Sequence, residues 1–166
     1  MESEKLSIVI VTYKSDEKIL NCLKSISSEI PVIIIENSNN EEFKKKIEKN
    51  HSNVKCVLTG ENKGYAASNN IGLSKVKTKY ALVLNPDTIL KNDAIKNFLI
   101  TANIIRDFWL IGPANNQVIN LDLKKGNLIK VKNLKGFAIF LNMSKFTEKV
   151  FDKNFFLYFE EIDLCK

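Results

Sequence analysis

The sequence is poor in the residues that many catalytic sites lean on. It has one histidine in 166 residues. That residue, His51, lies in a polar, loop-like stretch, NHSN, so neither a histidine-based triad nor a histidine-ligated zinc site is expected. Cys22, Cys56 and Cys165 are an odd number and include no CxxC pair. They read as reduced thiols of a cytoplasmic protein, two of them in the core. No apolar run approaches the ~20 residues of a membrane span. The opening MESEK is acidic and polar, which does not fit a secretory signal. Internal repeats, low-complexity tracts and linkers are also missing, so one domain is expected. Glycine-rich phosphate loops are missing too. The turn after the first strand is TYKSDEK, without the GxGxxG of a dinucleotide fold, and there is no Walker A loop.

What is present belongs to an ordinary folded domain. Hydrophobic residues make up 45% and charged residues 27%, enough for a real core at this length. The net charge is +6. The lysines are scattered, as at Lys44 to Lys46, Lys124, Lys125, Lys130, Lys132 and Lys135, and read mostly as solvated faces. They lack the aromatic interleaving of single-strand nucleic-acid grooves, so no nucleic-acid partner is expected. A weak attraction to anionic lipid headgroups or to phosphorylated substrates fits the charge equally well. The expected location is cytoplasmic, with the inner face of the membrane left open.

Strand and helix patterns alternate along the first two thirds. Leu6 to Val11 is a strand. Asp16 to Ser28 is a helix, with Ile19, Cys22, Leu23 and Ile26 on one face and Ser15 or Asp16 as cap. Pro31 to Ile35 is a second buried strand. Glu41 to Lys49 is a charged helix, with Ser38 and Glu41 in capping-box spacing. Val54 to Leu58 is a third strand. Asn62 to Gly64 is a turn, and Tyr65 to Ser74 a helix of small residues. Tyr80 to Leu84 is a fourth strand, and Asp93 to Ile105 a helix with Ile95, Leu99 and Ala102 facing inward. Such alternation predicts an α/β fold with a parallel sheet covered on both faces. The pattern changes after Trp109. Short strands are predicted over Pro113 to Asp122, Gly126 to Val131 and Gly136 to Leu141. A short aromatic strand, Phe155 to Phe159, leads into Glu160, Glu161 and Asp163.

The fourth strand organises the rest. Ala81 to Leu84 has no polar face and suits a central parallel strand. Pro86 lacks an N–H and biases Asn85 away from helix, which ends the strand there. Asn85 and Asp87 therefore sit at the carboxyl edge of a buried strand, where open α/β sheets bind ligands. Asn, Pro and Asp also make ordinary turns. Two other strands end in polar groups as well: the first in Thr12 and Tyr13, the second in Glu36 and Asn37.

Taken together, VTY after the first strand, Glu-Asn-Ser after the second, NxGxxxxxNxG over Asn62 to Gly72 and LNPDT after the fourth resemble a family 2 glycosyltransferase of the GT-A fold. The similarity is to the rhamnosyltransferase-like branch, where NPD stands in place of DxD. GFAIFL and FFLYFEEIDLC extend it, so that it runs from Leu6 to Cys165.

The resemblance implies a nucleotide-diphosphate sugar, a dTDP- or UDP-sugar, lying across the strand ends. Thr12 and Tyr13 would line the nucleotide pocket. Glu36 matches the acid that binds the base, usually Asp in the family, although an acid there also suits a helix cap or a solvated site. Asn37 follows it. Asn62 and Gly64 match the loop beside the nucleotide, Gly64 allowing close approach or positive φ. Asn69 and Asn70 would open a helix whose amides help hold the donor, or Asn70 would tie loops together. Asp87 matches the metal-facing carboxylate of DxD, with Mg²⁺ or Mn²⁺ bound through the donor diphosphate. Asn85 stands where the first carboxylate would be. Glu160, Glu161 and Asp163 match the catalytic pattern E-D-x-D-L-C, with Glu161 in the base position. Three such acids close together raise one another's pKa. A solvated acidic turn is the alternative for them.

The chain is thus expected to be one GT-A domain with a nucleotide-binding half, 1–108, and a smaller mixed-sheet acceptor-side half, 109–166. Because the family continues past this motif, a truncated or incomplete enzyme is expected. The implied reaction is inverting transfer of a hexose or deoxyhexose to a glycan or lipid-linked acceptor in cell-surface polysaccharide synthesis. A non-catalytic sugar-nucleotide binding module is the rival reading. A nucleotidyltransferase would need a glycine-rich first loop.

Overall fold

The structure, a computed structural model, describes residues 5–113, 129–158 and 160–165. Its centre is one six-stranded sheet: β1 (Leu6–Thr12), β2 (Val32–Glu36), β3 (Val54–Leu58), β4 (Tyr80–Leu84), β5 (Leu110–Ile111) and β6 (Ala138–Asn142). The spatial order is β3-β2-β1-β4-β6-β5. β1 pairs in parallel with both β2 and β4, and β2 with β3. β6 runs antiparallel to β4 and β5. The expected parallel sheet with a mixed second half is therefore observed.

Strands covered on both faces need apolar residues in both registers, and β1 supplies them. Leu6, Ile8 and Ile10 face one core, with Val32, Ile34, Leu82 and Phe140. Val9 and Val11 face the other, with Ile35, Val83, Ile139 and Phe151. Helices α1 (Lys18–Lys24), α2 (Glu41–Asn50) and α4 (Ala94–Ile105) cover the first face. There the Phe98 and Phe140 rings stack at 5.1 Å. Helix α3 (Tyr65–Leu73) and the C-terminal segment cover the second. The chain thus moves outward from β1 to β3 under one layer. It then crosses back over the other face through α3 to reach β4, and this reversal opens a crevice between the carboxyl ends of β1 and β4.

Several local expectations change. α1 is shorter than predicted and has neither proposed cap: Glu17 precedes it without a capping bond. Ser15 Oγ turns back to Tyr13 O at 3.0 Å, and the Asp16 carboxylate accepts from Asn40 Nδ2 at 3.1 Å. Asn40, not Ser38, caps α2 by accepting from Phe43 N–H at 2.9 Å, because a left-handed turn at Asn39, φ 59°, delays the helix start. On α4, Phe98 joins Ala102 as the buried pair, while Ile95 and Leu99 are only partly buried. The short β5 was not foreseen. The predicted strand from Gly136 starts at Ala138, after a turn. Phe155 to Tyr158 is no strand but a bend, with Phe156 57% and Tyr158 70% exposed. The strands predicted over 113–122 and 126–131 fall mainly outside the described residues, and their described parts, Pro113 and 129–131, are in no strand.

Gly72 explains how α3 lies so close to the sheet. A Cβ built there would come 2.4 Å from Val9 Cγ1 and 3.2 Å from Ile35 Cγ1. Both are β-branched core side chains with little freedom to move. Gly72→Ala gains helix propensity of about 1 kcal/mol but overpacks this contact. It should destabilise the fold by a net ~1–3 kcal/mol, measured by urea denaturation.

Candidate active site

The carboxyl ends of β1, β2 and β4 lie side by side, with Thr12 opposite Glu36 in register and Ile10 opposite Leu84. Each strand end has a distinct role. Thr12 is buried, and its Oγ1 has no partner among the described residues. Its carbonyl accepts from Asn37 N–H at 2.8 Å. Tyr13 is largely exposed, with Lys14 Nζ 5.4 Å from its ring centre. Glu36 is buried, and both carboxylate oxygens serve the turn after β2. Oε1 accepts from Ser38 N–H at 2.9 Å and Ser38 Oγ at 2.5 Å, and Oε2 accepts from Asn40 N–H at 2.7 Å. Glu36 thus braces the turn that leads to the Asn40 cap of α2.

Side-chain amides of Asn62 and Asn37 hold the Asn62–Gly64 loop. Asn62 Oδ1 accepts from Gly64 N–H at 3.0 Å, an Asx-type turn. Asn37 Nδ2 donates to Gly64 O at 3.3 Å, and Asn37 Oδ1 accepts from Ser68 Oγ at 2.8 Å. Gly64 has φ 77°, and a Cβ there would lie 2.6 Å from Phe156 O. The glycine is therefore required twice, for its backbone region and for this contact. The Phe156 carbonyl accepts from Tyr65 N–H at 2.8 Å, so the first amide of α3 is already satisfied from the C-terminal segment. Asn69 and Asn70 lie within α3 rather than opening it. Asn69 Nδ2 donates to Tyr65 O at 3.1 Å, and its buried Oδ1 has no partner among the described residues. Asn70 clamps Phe151 by donating to its carbonyl at 2.7 Å and accepting from its N–H at 3.0 Å. It ties the two segments together.

Asn85 and Asp87 lie on the turn after β4. Asn85 N–H donates to Phe137 O at 3.0 Å, and its side-chain Oδ1 accepts from Tyr65 Oη at 3.1 Å. Gly136 O lies 3.2 Å from the same hydroxyl. The carbonyl of Asn85 accepts from Cys22 Sγ at 3.8 Å. Burial pushes that thiol up to about 12, and the Asp87 charge adds to the effect, so Cys22 is an inert core group. Asp87 is exposed. Among the described residues no three His, Cys, Asp or Glu side chains gather into a metal cage. One hard carboxylate at the crevice mouth nevertheless fits an Mg²⁺ or Mn²⁺ ion that takes its other ligands from a diphosphate and water.

The three acids lie on a short helix, α5 (Glu160–Leu164), not a solvated turn. Glu161 packs beside Gly136, where an added Cβ would lie 3.6 Å from its Cδ. Glu160 is buried, and its Oε2 is unpartnered among the described residues. Burial raises its pKa, and the Glu161 charge raises it further. Burial also pushes the Tyr65 phenol above its usual range, with smaller contributions from Glu160 and Glu161. Tyr65 thus stands between the two acids and the Asn85 turn. Sequence reasoning missed it as a site residue, although the one aromatic directly after Gly64 at the head of a small-residue helix was a usable signal.

The profile of the family described as glycosyl transferase family 2 matches residues 7–159. The chain belongs to this family. A relative from Haloferax volcanii, the low-salt glycan biosynthesis hexosyltransferase Agl10, is 28% identical over 98% of this chain and 61% of that protein. The chain therefore spans about three-fifths of that relative. Two solved structures share the fold. TarS 1-349 of S. aureus superposes with a TM-score of 0.74 at 18% identity, covering 97% of this chain and 54% of that one. The mannosyltransferase PcManGT of Pyrobaculum calidifontis, in complex with GDP-Man and Mn2+, gives 0.76 at 12% identity, covering 96% and 50%. These matches establish the expected GT-A glycosyltransferase fold for the family 2 chain.

A carboxyl whose pKa is raised by folding holds its proton more tightly in the folded state. That contribution is present at low pH and is lost as pH rises from the ordinary value of 4.5 through the raised one. Wild type should therefore lose stability relative to Glu160→Gln as pH rises from about 4.5 to 8. Melting temperatures across that range provide the check, and parallel curves would count against a buried, hard-to-ionise Glu160.

Proposed function

We propose that this family 2 domain transfers a hexosyl or deoxyhexosyl group, with inversion, from a nucleotide-diphosphate donor to a glycan or lipid-linked acceptor. The observation that carries the proposal is the link from Asn85 through Tyr65 and Gly136 to Glu161. It joins a diphosphate-type turn to an acidic helix at one crevice. The kinship with a glycan hexosyltransferase supports the reaction class. PcManGT, solved with GDP-Man, supports a nucleotide-sugar donor class, and the donor proposed here is a dTDP- or UDP-sugar.

In this reading Thr12 and Tyr13 line the nucleotide pocket, while Glu36, Asn37, Asn62, Gly64, Asn69 and Asn70 shape its walls. The anionic diphosphate lies at the turn of Asn85 and Asp87. Asp87 is the protein ligand for Mg²⁺ or Mn²⁺, which when bound offsets charge on the leaving diphosphate. Glu161 takes the proton from the acceptor hydroxyl as that oxygen attacks the anomeric carbon. Glu160 and Asp163 lie on the same short helix beside it. The weak basic character of the surface is compatible with a site of action at an anionic membrane face.

A thermal-shift screen of UDP, dTDP and GDP with and without Mn²⁺ tests donor binding. At a hundredfold excess over Kd a bound nucleotide stabilises the folded state by about 2.7 kcal/mol. The shift should be larger with Mn²⁺, and Asp87→Ala should remove most of that difference. No shift with any nucleotide would leave the proposal unsupported.

Glu161→Gln keeps shape and hydrogen bonding but cannot take a proton. Transfer should fall by about 10²- to 10⁴-fold with nucleotide affinity nearly unchanged, and Asp163→Asn should matter less. Full transfer by Glu161→Gln alongside a dead Asp163→Asn would move the base to Asp163.

A further inference from the structure

The edge of the sheet remote from the crevice has a character of its own. β4 begins there, so Lys79 precedes the strand whose other end leads to Asn85. Tyr80 is opposite Asn142 in register, and Leu110 is opposite Leu141. Lys79, Trp109 and Met143 therefore lie together at this edge. Met143 N–H donates to Lys79 O at 3.0 Å, and Asn142 N–H donates to Trp109 O at 3.1 Å. The loop that enters β4, SKVKTK over Ser74 to Lys79, exposes Lys75, Lys77 and Lys79. No Asp or Glu occurs between Glu61 and Asp87, so this stretch carries no counter-charge of its own. On the connection from α4 to β5, Arg106 is exposed, and the Asp107 carboxylate is engaged by Lys145. Glu148 is followed by Lys149. Beside these cations stands the only tryptophan of the chain. Trp109 is 58% exposed, with its ring edge-on to Phe146 at 5.3 Å, and Ile104 near the end of α4 is 68% exposed. A half-exposed indole among exposed cations suits the boundary between water and lipid. The ring settles at headgroup level, and each lysine keeps its ammonium in water while attracting anionic lipid. A second copy of the chain is a poorer occupant, because a two-fold self-contact would bring the same lysines together.

We propose that this edge docks the domain on an anionic membrane surface, with Lys75, Lys77 and Lys79 meeting the headgroups and Trp109 entering the headgroup layer. The docking surface stands without the transferase reading, but it sets a condition on it. Six positions separate Lys79 from Asn85, about 20 Å of extended chain. The crevice then faces away from the bilayer. On the transferase reading, a lipid-linked acceptor reaches it only through a glycan long enough to span that distance.

The test is co-sedimentation of the whole 166-residue chain with phosphatidylcholine vesicles, with and without phosphatidylglycerol, in the absence of nucleotide. Wild type should bind the anionic vesicles, bind the neutral ones far more weakly, and come off as salt is raised. Because Trp109 is the sole tryptophan, its emission reports on this edge alone. That emission should shift to the blue on anionic vesicles and be quenched by brominated acyl chains. Changing Lys75, Lys77 and Lys79 together to Gln should weaken binding about a hundredfold, at about fivefold for each cation near an anionic surface. The same change at Lys44, Lys45 and Lys46 on α2 removes equal charge elsewhere and should cost much less. Trp109→Ser should weaken binding about tenfold. Should that variant fail to fold, the exposed lysines and the wild-type emission still decide the matter. Equal losses in the two lysine triples would reduce the effect to net charge and overturn the proposal. So would an unchanged emission, equal binding to neutral vesicles or no binding at all. A dimer in sedimentation equilibrium that Trp109→Ser dissolves would assign the edge to a second copy instead, and overturns it too. None of these outcomes touches the transferase reading, which nucleotide binding tests separately.

Discussion

One backbone contact sets how the C-terminal segment meets the head of α3, and the candidate site depends on it. The carbonyl of Phe156 lies where a side chain on Gly64 would be, and it accepts from the N–H of Tyr65. Helix N-termini leave their first amides without internal partners. Here one of those amides is satisfied by a segment 91 residues later in the chain, the difference between positions 156 and 65. The contact brings the start of α5 over the head of α3 and places Glu160 and Glu161 near Tyr65. A side chain at position 64 would remove the room for the carbonyl, leave the Tyr65 amide unpaired and displace the acidic helix together.

Much of this was legible in the sequence, and the physical reason differs by element. β1, β2 and β4 are apolar in both registers, a pattern that only a sheet covered on both faces accommodates. Their neighbour relations followed from the strand–helix alternation. The capping residues were less legible because Ser, Asp and Asn crowd both loops and several could cap. The choice was settled by a left-handed turn at Asn39 that spacing alone does not reveal. The aromatic run at Phe155 failed as a strand for a different reason. Aromatic residues fit a half-buried sheet surface, but a Phe156 carbonyl bonded to a helix amide interrupts any ladder. β5 has two residues, Leu110 and Ile111, too few for any periodicity to show.

The structural tasks of the motif residues were not legible in the sequence. Asn37, Asn62, Asn69 and Asn70 each make a hydrogen bond to the protein backbone. Side-chain amides suit this because each carries both a donor and an acceptor. Asn70 uses both on the two backbone groups of Phe151. Glu36 does comparable work with its two oxygens in the turn after β2. The residues left facing the crevice are fewer than the motifs suggest, and their positions are set by this buried polar frame. Buried polar groups are expensive unless satisfied, so the frame stabilises one loop arrangement and disfavours others.

The electrostatics follow the same division. Burial keeps the Tyr65 phenol protonated far above neutral pH, and the nearby Glu160 and Glu161 reinforce that. The hydroxyl that holds Asn85 is therefore a donor at every ordinary pH and does not titrate. Burial also raises the pKa of Glu160, and the Glu161 charge adds to the effect. When Glu160 ionises, its charge is felt by Glu161 beside it. Tyr65 can answer only through its dipole, since it has no charge to change. The Asn85 turn is thereby insulated from changes of charge on α5, although Tyr65 and Gly136 join them. The hydrogen bonding of the turn after β4 and the charge on α5 are therefore separate properties of one cluster.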